Sequence, residues 1–233
     1  MVGAVTANSD SSCIKAVDRL QGGFDVADAN TADFQDSTFL PTGPSAIWWE
    51  GLNARADYAW YEEALRSGSI FFSRLSTFYP DAELFGKISP DSVRQGNADT
   101  SYLMAAAASL AKYPDRVMDL FTNDEATSGA YNVRFHIRGK PWTVSVDDIM
   151  LFEGSRDNAR LHFAKRGKDG SLWSAILEKA WAKVKGNYIL AGDGYNKNAL
   201  RALTGSPVDE YFSKDFSSTT DSLNAMWNDL QAA

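Results

Sequence analysis

The stretch QGNADTSYLMAAAASLAKYP, residues 95–114, decides how the chain is read. A Gln-Gly loop runs into an alanine-rich segment in which Ala105–Ala108 supply strong helix propensity. Asp99 or Thr100 can cap its start, Pro114 closes it, and Ser101 becomes the first helical residue. Carrying almost no charge, this run is expected to be the central buried helix. It raises one question: is Ser101 a nucleophile, or the mark of a nucleophile that has been lost?

Working outward, DYAWYEEALRSG (57–68) places Tyr58, Tyr61, Ala64 and Leu65 on one helical face, with Asp57 as cap and Gly68 as stop. Downstream, YNVRFHIRGKPWTVSVDD (131–148) alternates Tyr131, Val133, Phe135 and Ile137, turns through Gly139 and resumes with Trp142, Val144 and Val146. That period predicts a β-hairpin with one buried face, leaving Asn132, Arg134, His136 and Arg138 on a polar face. SLWSAILEKAWAKVKG (171–186) carries a wide apolar stripe, with lysines late, where they complement the helix dipole, and Gly186 as terminator. DSLNAMWNDLQAA (221–233) reads as a last short amphipathic helix. The expected class is α+β: a central buried helix packed with further helices and a small antiparallel hairpin. Residues 1–33, polar and small, read as an extended N-terminal arm, and 34–233 as the folded unit.

Composition narrows the function. The chain has 233 residues, 44% of them apolar and 12% aromatic, enough to bury a sizeable core. A net charge of -7 argues against nucleic-acid partners, because phosphate binding needs clustered cations. The best basic run, Lys165–Lys168, reads as a solvated turn. No apolar run is long enough to span a membrane, and the N-terminus lacks the charged start and apolar core of a secretory signal. The lone Cys13 has no partner for a disulfide or a zinc site, so an intracellular, reducing compartment is expected. AGDGYN (191–196) matches no cofactor pattern and reads as a loop.

Five segments, FQDSTFLPTGPSA, QGNADTSYLMAAAASL, WTVSVDD, LWSAILEKAWAKVKGNY and ALTG, resemble in order and spacing the first protease lobe of calpains, which are papain-like cysteine proteases. The resemblance covers roughly residues 34 to 212. It implies a cysteine nucleophile at the start of the central helix, a glutamine a few residues earlier that helps form the oxyanion hole, and a histidine and an asparagine from a second lobe. A helix N-terminus and a nearby imidazolium suit that chemistry, since both lower a thiol pKa.

Carried over by position, Gln95 and Gly96 fit the pattern. Ser101 falls on the nucleophile, Thr100 on the preceding aspartate, Asp99 on a glycine and Tyr102 on a tryptophan. A hydroxyl cannot be ionised at neutral pH by a helix dipole worth about 0.3 to 2 kcal/mol; it needs a general base. The two histidines, His136 and His162, match no catalytic position of the family and read as ordinary surface or partly buried side chains. The family's calcium ligands map to Ser92, where an aspartate is wanted, and Glu178. Without that aspartate no retained metal is expected, Glu178 reads as a helix-face charge beside lysines, and no cofactor is called.

The expectation is therefore a first lobe without its second: a pseudoprotease, not an enzyme, acting as a structural or scaffolding subunit in a stable protein assembly. Ser101, Tyr102 and Leu103, together with Trp48 and Trp49, are the expected partner-binding residues. By family analogy the setting is cytoplasmic, cytoskeletal or flagellar, with an organelle left open. The alternative is an inactivated or trans-complemented fragment of a calcium-dependent cysteine protease.

Overall fold

The computed structural model describes residues 34–48, 56–122, 129–210 and 220–232; the arm 1–33, Cys13 and Trp49 lie outside them. In chain order the elements are α1 (Ala56–Ser67), β1 (Ile70–Arg74), α2 (Leu75–Phe78), α3 (Ser101–Leu110), α4 (Pro114–Met118), β2 (Ala130–Ile137), β3 (Lys140–Asp147), β4 (Ile149–Glu153), β5 (Arg160–Leu161), α5 (Trp173–Lys185), α6 (Tyr188–Ala191), α7 (Asn196–Thr204) and α8 (Thr220–Ala232). The mixture of helices with small antiparallel sheets agrees with the α+β expectation. The hairpin β2–β3 forms one sheet; β1, β4 and β5 form another, in the order β1-β4-β5.

The hairpin follows its sequence closely. Tyr131 pairs with Val146, Val133 with Val144 and Phe135 with Trp142. Arg138 and Gly139 turn it with φ of 52° and 76°, the left-handed pair that a two-residue hairpin loop requires. Its second face is not solvated as expected. Asn132 and Ser145 are buried opposite each other, and the Ser145 hydroxyl donates to Asn132 Oδ1 at 2.6 Å. The His136 ring lies against Gly205, at the C-terminus of α7.

The helix buried all round is α5, not α3. Every residue of α5 from Trp173 to Lys183 is buried. On α3, Tyr102, Leu103, Met104, Ala106, Ala107 and Leu110 face inward, while Ser101, Ala105 and Ser109, four residues apart, form an exposed stripe. Pro114 ends that run by opening α4, where its fixed φ and missing N–H cost nothing.

Lysines on a buried helix need partners. Lys183 Nζ donates to Asp36 Oδ2 and to Ser145 O, both at 2.7 Å, and Lys179 Nζ donates to Asp147 Oδ1 and, at 2.7 Å, to Ile149 O. Asp36 N donates to Asp147 Oδ2 at 2.8 Å. This network pins the 34–48 segment and the end of the hairpin to α5. Lys183 therefore does not serve the helix dipole at the surface, as its place in the sequence suggested. Two other expectations fail as well. Asp57 lies inside α1 rather than capping it, and Lys165 is drawn inward, its Nζ donating to His162 O at 3.0 Å and Glu153 Oε1 at 3.1 Å.

Candidate active site

Ser101 opens α3 and is exposed. Its helix N-terminus has no side-chain cap: Thr100, at the cap position, turns its hydroxyl away to donate to Glu178 Oε1. Glu178 is fully buried on α5, and its Oε2 accepts from Ala164 N at 2.7 Å. Burial raises its carboxyl pKa to about 7, against the lowering effect of those two hydrogen bonds and of Lys165. Glu178 is thus not a surface charge among lysines. It ties the residue before Ser101 to the 164 segment.

The loop leading to Ser101 is seated on backbone. Asn97 N donates to His162 O at 3.1 Å, and a Cβ on Gly96 would fall 1.7 Å from Phe163 O, so only glycine allows that approach. The exposed Gln95 side chain folds back, its Nε2 donating to Ala98 O at 3.1 Å. One of the two amide protons that an oxyanion hole could use is engaged there.

His162 is the residue whose role the sequence concealed. It is buried, and its Nδ1 lies 2.7 Å from Glu153 Oε2, while Tyr61 Oη is 3.3 Å from Nε2. This pattern fits a neutral ring that donates from Nδ1 and accepts at Nε2. Asn97 Nδ2, 3.1 Å from Nδ1, donates to the same carboxylate at 3.0 Å. Desolvation lowers the imidazole pKa, outweighing the pull of Glu153. Burial alone would raise the Glu153 carboxyl, but hydrogen bonds from Lys165, His162 and Arg160 hold it at about 2. The pairing Glu153↔Arg160 explains the cluster: two residues further along, His162 returns to the same face of the sheet. No motif announces this, because the contact is made by strand register.

His136 Nδ1 is buried without a partner beside Gly205. Neither imidazole hydrogen-bonds Ser101, and among the described residues no hydrogen bond reaches the Ser101 side chain.

Three of the expected partner-facing residues are covered by the chain itself. Leu103 is 0% exposed and Tyr102 8%; the Tyr102 hydroxyl donates to Ala191 O at 2.7 Å and accepts from Trp181 Nε1 at 2.8 Å. Trp48 is buried, its indole packed over Gly43. The open face at this position consists of Ser101, Ala105 and Ser109. Helical periodicity, rather than adjacency in sequence, selects those three.

Residues 34–233 match the calpain family cysteine protease profile. The chain belongs to the calpain family of cysteine proteases. It is similar to Calpain-5 of Caenorhabditis elegans, 28% identical over a 211-residue match that covers 86% of this chain and 30% of that protein. A calpain-type cysteine protease of Oryza sativa subsp. japonica is 31% identical over 178 residues, 76% of this chain and 8% of its own length. Calpain-B of Drosophila melanogaster is 29% identical over 192 residues, 80% and 19% respectively. The chain thus spans less than a third of each of these relatives.

The calpain resemblance raises calcium, and the residues do not fit it. The Ser92 hydroxyl is buried, donates toward Lys87 O at 2.9 Å and lies 3.1 Å from Asp169 Oδ2. Both Glu178 oxygens are engaged inside the protein. Asp91 is exposed, 3.9 Å from Lys168. Among the described residues no group of three His, Cys, Asp or Glu side chains is placed to hold a metal ion.

Proposed function

We propose that this calpain-family domain is catalytically silent and serves as a structural, partner-binding subunit of a larger protein assembly. The observation that supports the reading is the bare Ser101 hydroxyl: neither imidazole of this chain hydrogen-bonds it, and among the described residues no other group does. His162 is locked to Glu153 and Tyr61, and His136 sits against Gly205. A serine at the family's nucleophile position is inert without a proton acceptor. Loss of one member of a triad leaves a residual acceleration of about 10³ to 10⁴ over water only where the oxyanion hole and cleft are intact. Here one of the two Gln95 amide protons is already taken by Ala98 O.

The second reading, a lobe completed in trans, draws support from the open Ser101, Ala105 and Ser109 stripe, which another chain could cover while presenting an imidazole. One experiment separates the two. The full chain and its Ser101→Ala variant are incubated with labelled casein and with a fluorophosphonate serine probe, alone and in a lysate from its source cells. The silent reading expects neither turnover nor Ser101-dependent labelling in either setting. Labelling that appears only in lysate and vanishes in Ser101→Ala would establish the trans-completed protease instead.

A further inference from the structure

A cavity of about 360 Å³ opens beside the loop that leads to Ser101. Trp60, Tyr61, Phe163 and Tyr188 give it aromatic walls, and Asp99 and Asp193 give it carboxylates. The two aspartates come from separate segments that the fold presses together: a Cβ on Gly192 would lie 3.2 Å from Asp99 Cβ. Both are exposed, and among the described residues neither forms an ion pair. No lysine or arginine is among the described lining residues.

The walls are built to stay in place. Phe163 and Tyr188 stack with centroids 3.8 Å apart and an interplanar angle of 16°. Trp60 is 52% exposed, yet its ring lies over the His162 imidazole at 5.8 Å and 22°, and that imidazole is anchored to Glu153 at 2.7 Å. An indole fixed half out of the protein is a pre-organised surface rather than a core residue. Aromatic faces attract cations through their quadrupoles, and they also cover an aliphatic stem. The unpaired carboxylates supply the opposite charge. The volume lies at the lower end of the range for ligand sites and is ample for one long side chain.

We propose that this cavity receives a lysine or arginine side chain presented by a partner protein. The aliphatic stem lies against the Trp60 and Tyr61 rings, and the cationic head meets Asp99 and Asp193. The chain's net charge of -7 would draw such a partner in. The word partner rests on the subunit reading above; the chemistry of the cavity does not.

The test follows the Trp60 indole N–H signal by NMR, assigned through Trp60→Phe, in the full chain titrated with acetyl-Gly-Lys-Gly-amide and acetyl-Gly-Arg-Gly-amide. The norleucine peptide, uncharged and nearly isosteric with lysine, is the control. Saturable shifts are expected with at least one cationic peptide and at least about tenfold weaker binding of norleucine. Asp99→Asn combined with Asp193→Asn should weaken binding at least about tenfold, with near-UV circular dichroism unchanged because both side chains are exposed. Equal binding of norleucine, undiminished binding by the double variant, or no saturable shift at Trp60 would overturn the proposal. Cleavage of the bound cationic peptide would retire the silent reading while leaving the cavity as a specificity pocket, so the two ideas can fail separately.

Discussion

Glu178 accepts a hydrogen bond from the hydroxyl of Thr100, the residue immediately before Ser101. A buried acid on α5 therefore holds the entrance of α3, and its protonation is felt there. Folding raises its pKa from 4.5 to about 7. Between those values the folded state holds a proton that the unfolded chain has released. Stability that is full below about pH 4.5 is accordingly lost as pH rises through about 7. Urea unfolding of wild type should show a decline of up to about 3 kcal/mol from this group across that window. Glu178→Gln should flatten the decline, and an unchanged slope would refute the assignment.

On the acid side Glu153 behaves in the opposite sense. Its folded pKa is depressed to about 2, so the stability it gives is present above its unfolded value of 4.5 and lost as pH falls toward 2. His162, also depressed, loses its contribution earlier, as pH drops below the ordinary histidine value. The urea midpoint of Glu153→Gln should trail wild type most near neutrality and converge with it at low pH. Parallel curves at all pH values would show that the cluster is not electrostatically coupled to folding.

The Lys183–Asp36 pair joins α5 to the 34–48 segment with both partners buried. Removing one charge strands the other, so Lys183→Met should cost about 3–5 kcal/mol. The double variant Lys183→Met with Asp36→Leu should recover part of that loss. Chemical denaturation of the four-member cycle measures the coupling; a coupling near zero would contradict the burial of the pair.

Much of this architecture was legible because it is local. The hairpin shows a period of two and a turn at Gly139, and α5 ends at Gly186, whose φ is 112°; Arg138, read as part of the polar face, instead joins the turn with φ of 52°. The family segments placed Gln95 and Gly96 on a loop and Ser101 at the start of the helix that follows it. What escaped is set by tertiary contact. The alternating pattern of β2 gives no sign that its polar face is covered, and the lysines of α5 look like surface charges until Asp36 and Asp147 arrive from elsewhere. His162 resembles any loop histidine until the β4–β5 register brings Glu153 beside it. The strands β1 and β4 are short, mostly apolar and without a strong alternation, and β5 is only the pair Arg160–Leu161, so periodicity gave them no signature.

Gly96 offers a sharper check on the loop. A methyl at this position would sit 1.7 Å from Phe163 O, backbone that cannot swing aside. Gly96→Ala should therefore destabilise the protein by at least about 2 kcal/mol, as overpacking against fixed atoms does. Thermal unfolding of Gly96→Ala within a degree of wild type would show that the loop is not seated as described.

The most direct measurement of the central claim is the thiol pKa of the Ser101→Cys variant, read from the pH dependence of its alkylation by iodoacetamide, with Cys13 replaced by serine. If no imidazole serves this position, the thiol should titrate within about one unit of the ordinary value near 8.5, with only the helix N-terminus lowering it, and His162→Ala should not move it. A pKa below about 6 that climbs when His162 is removed would contradict the account, because it would reveal a thiolate–imidazolium pair where the hydrogen bonds place none.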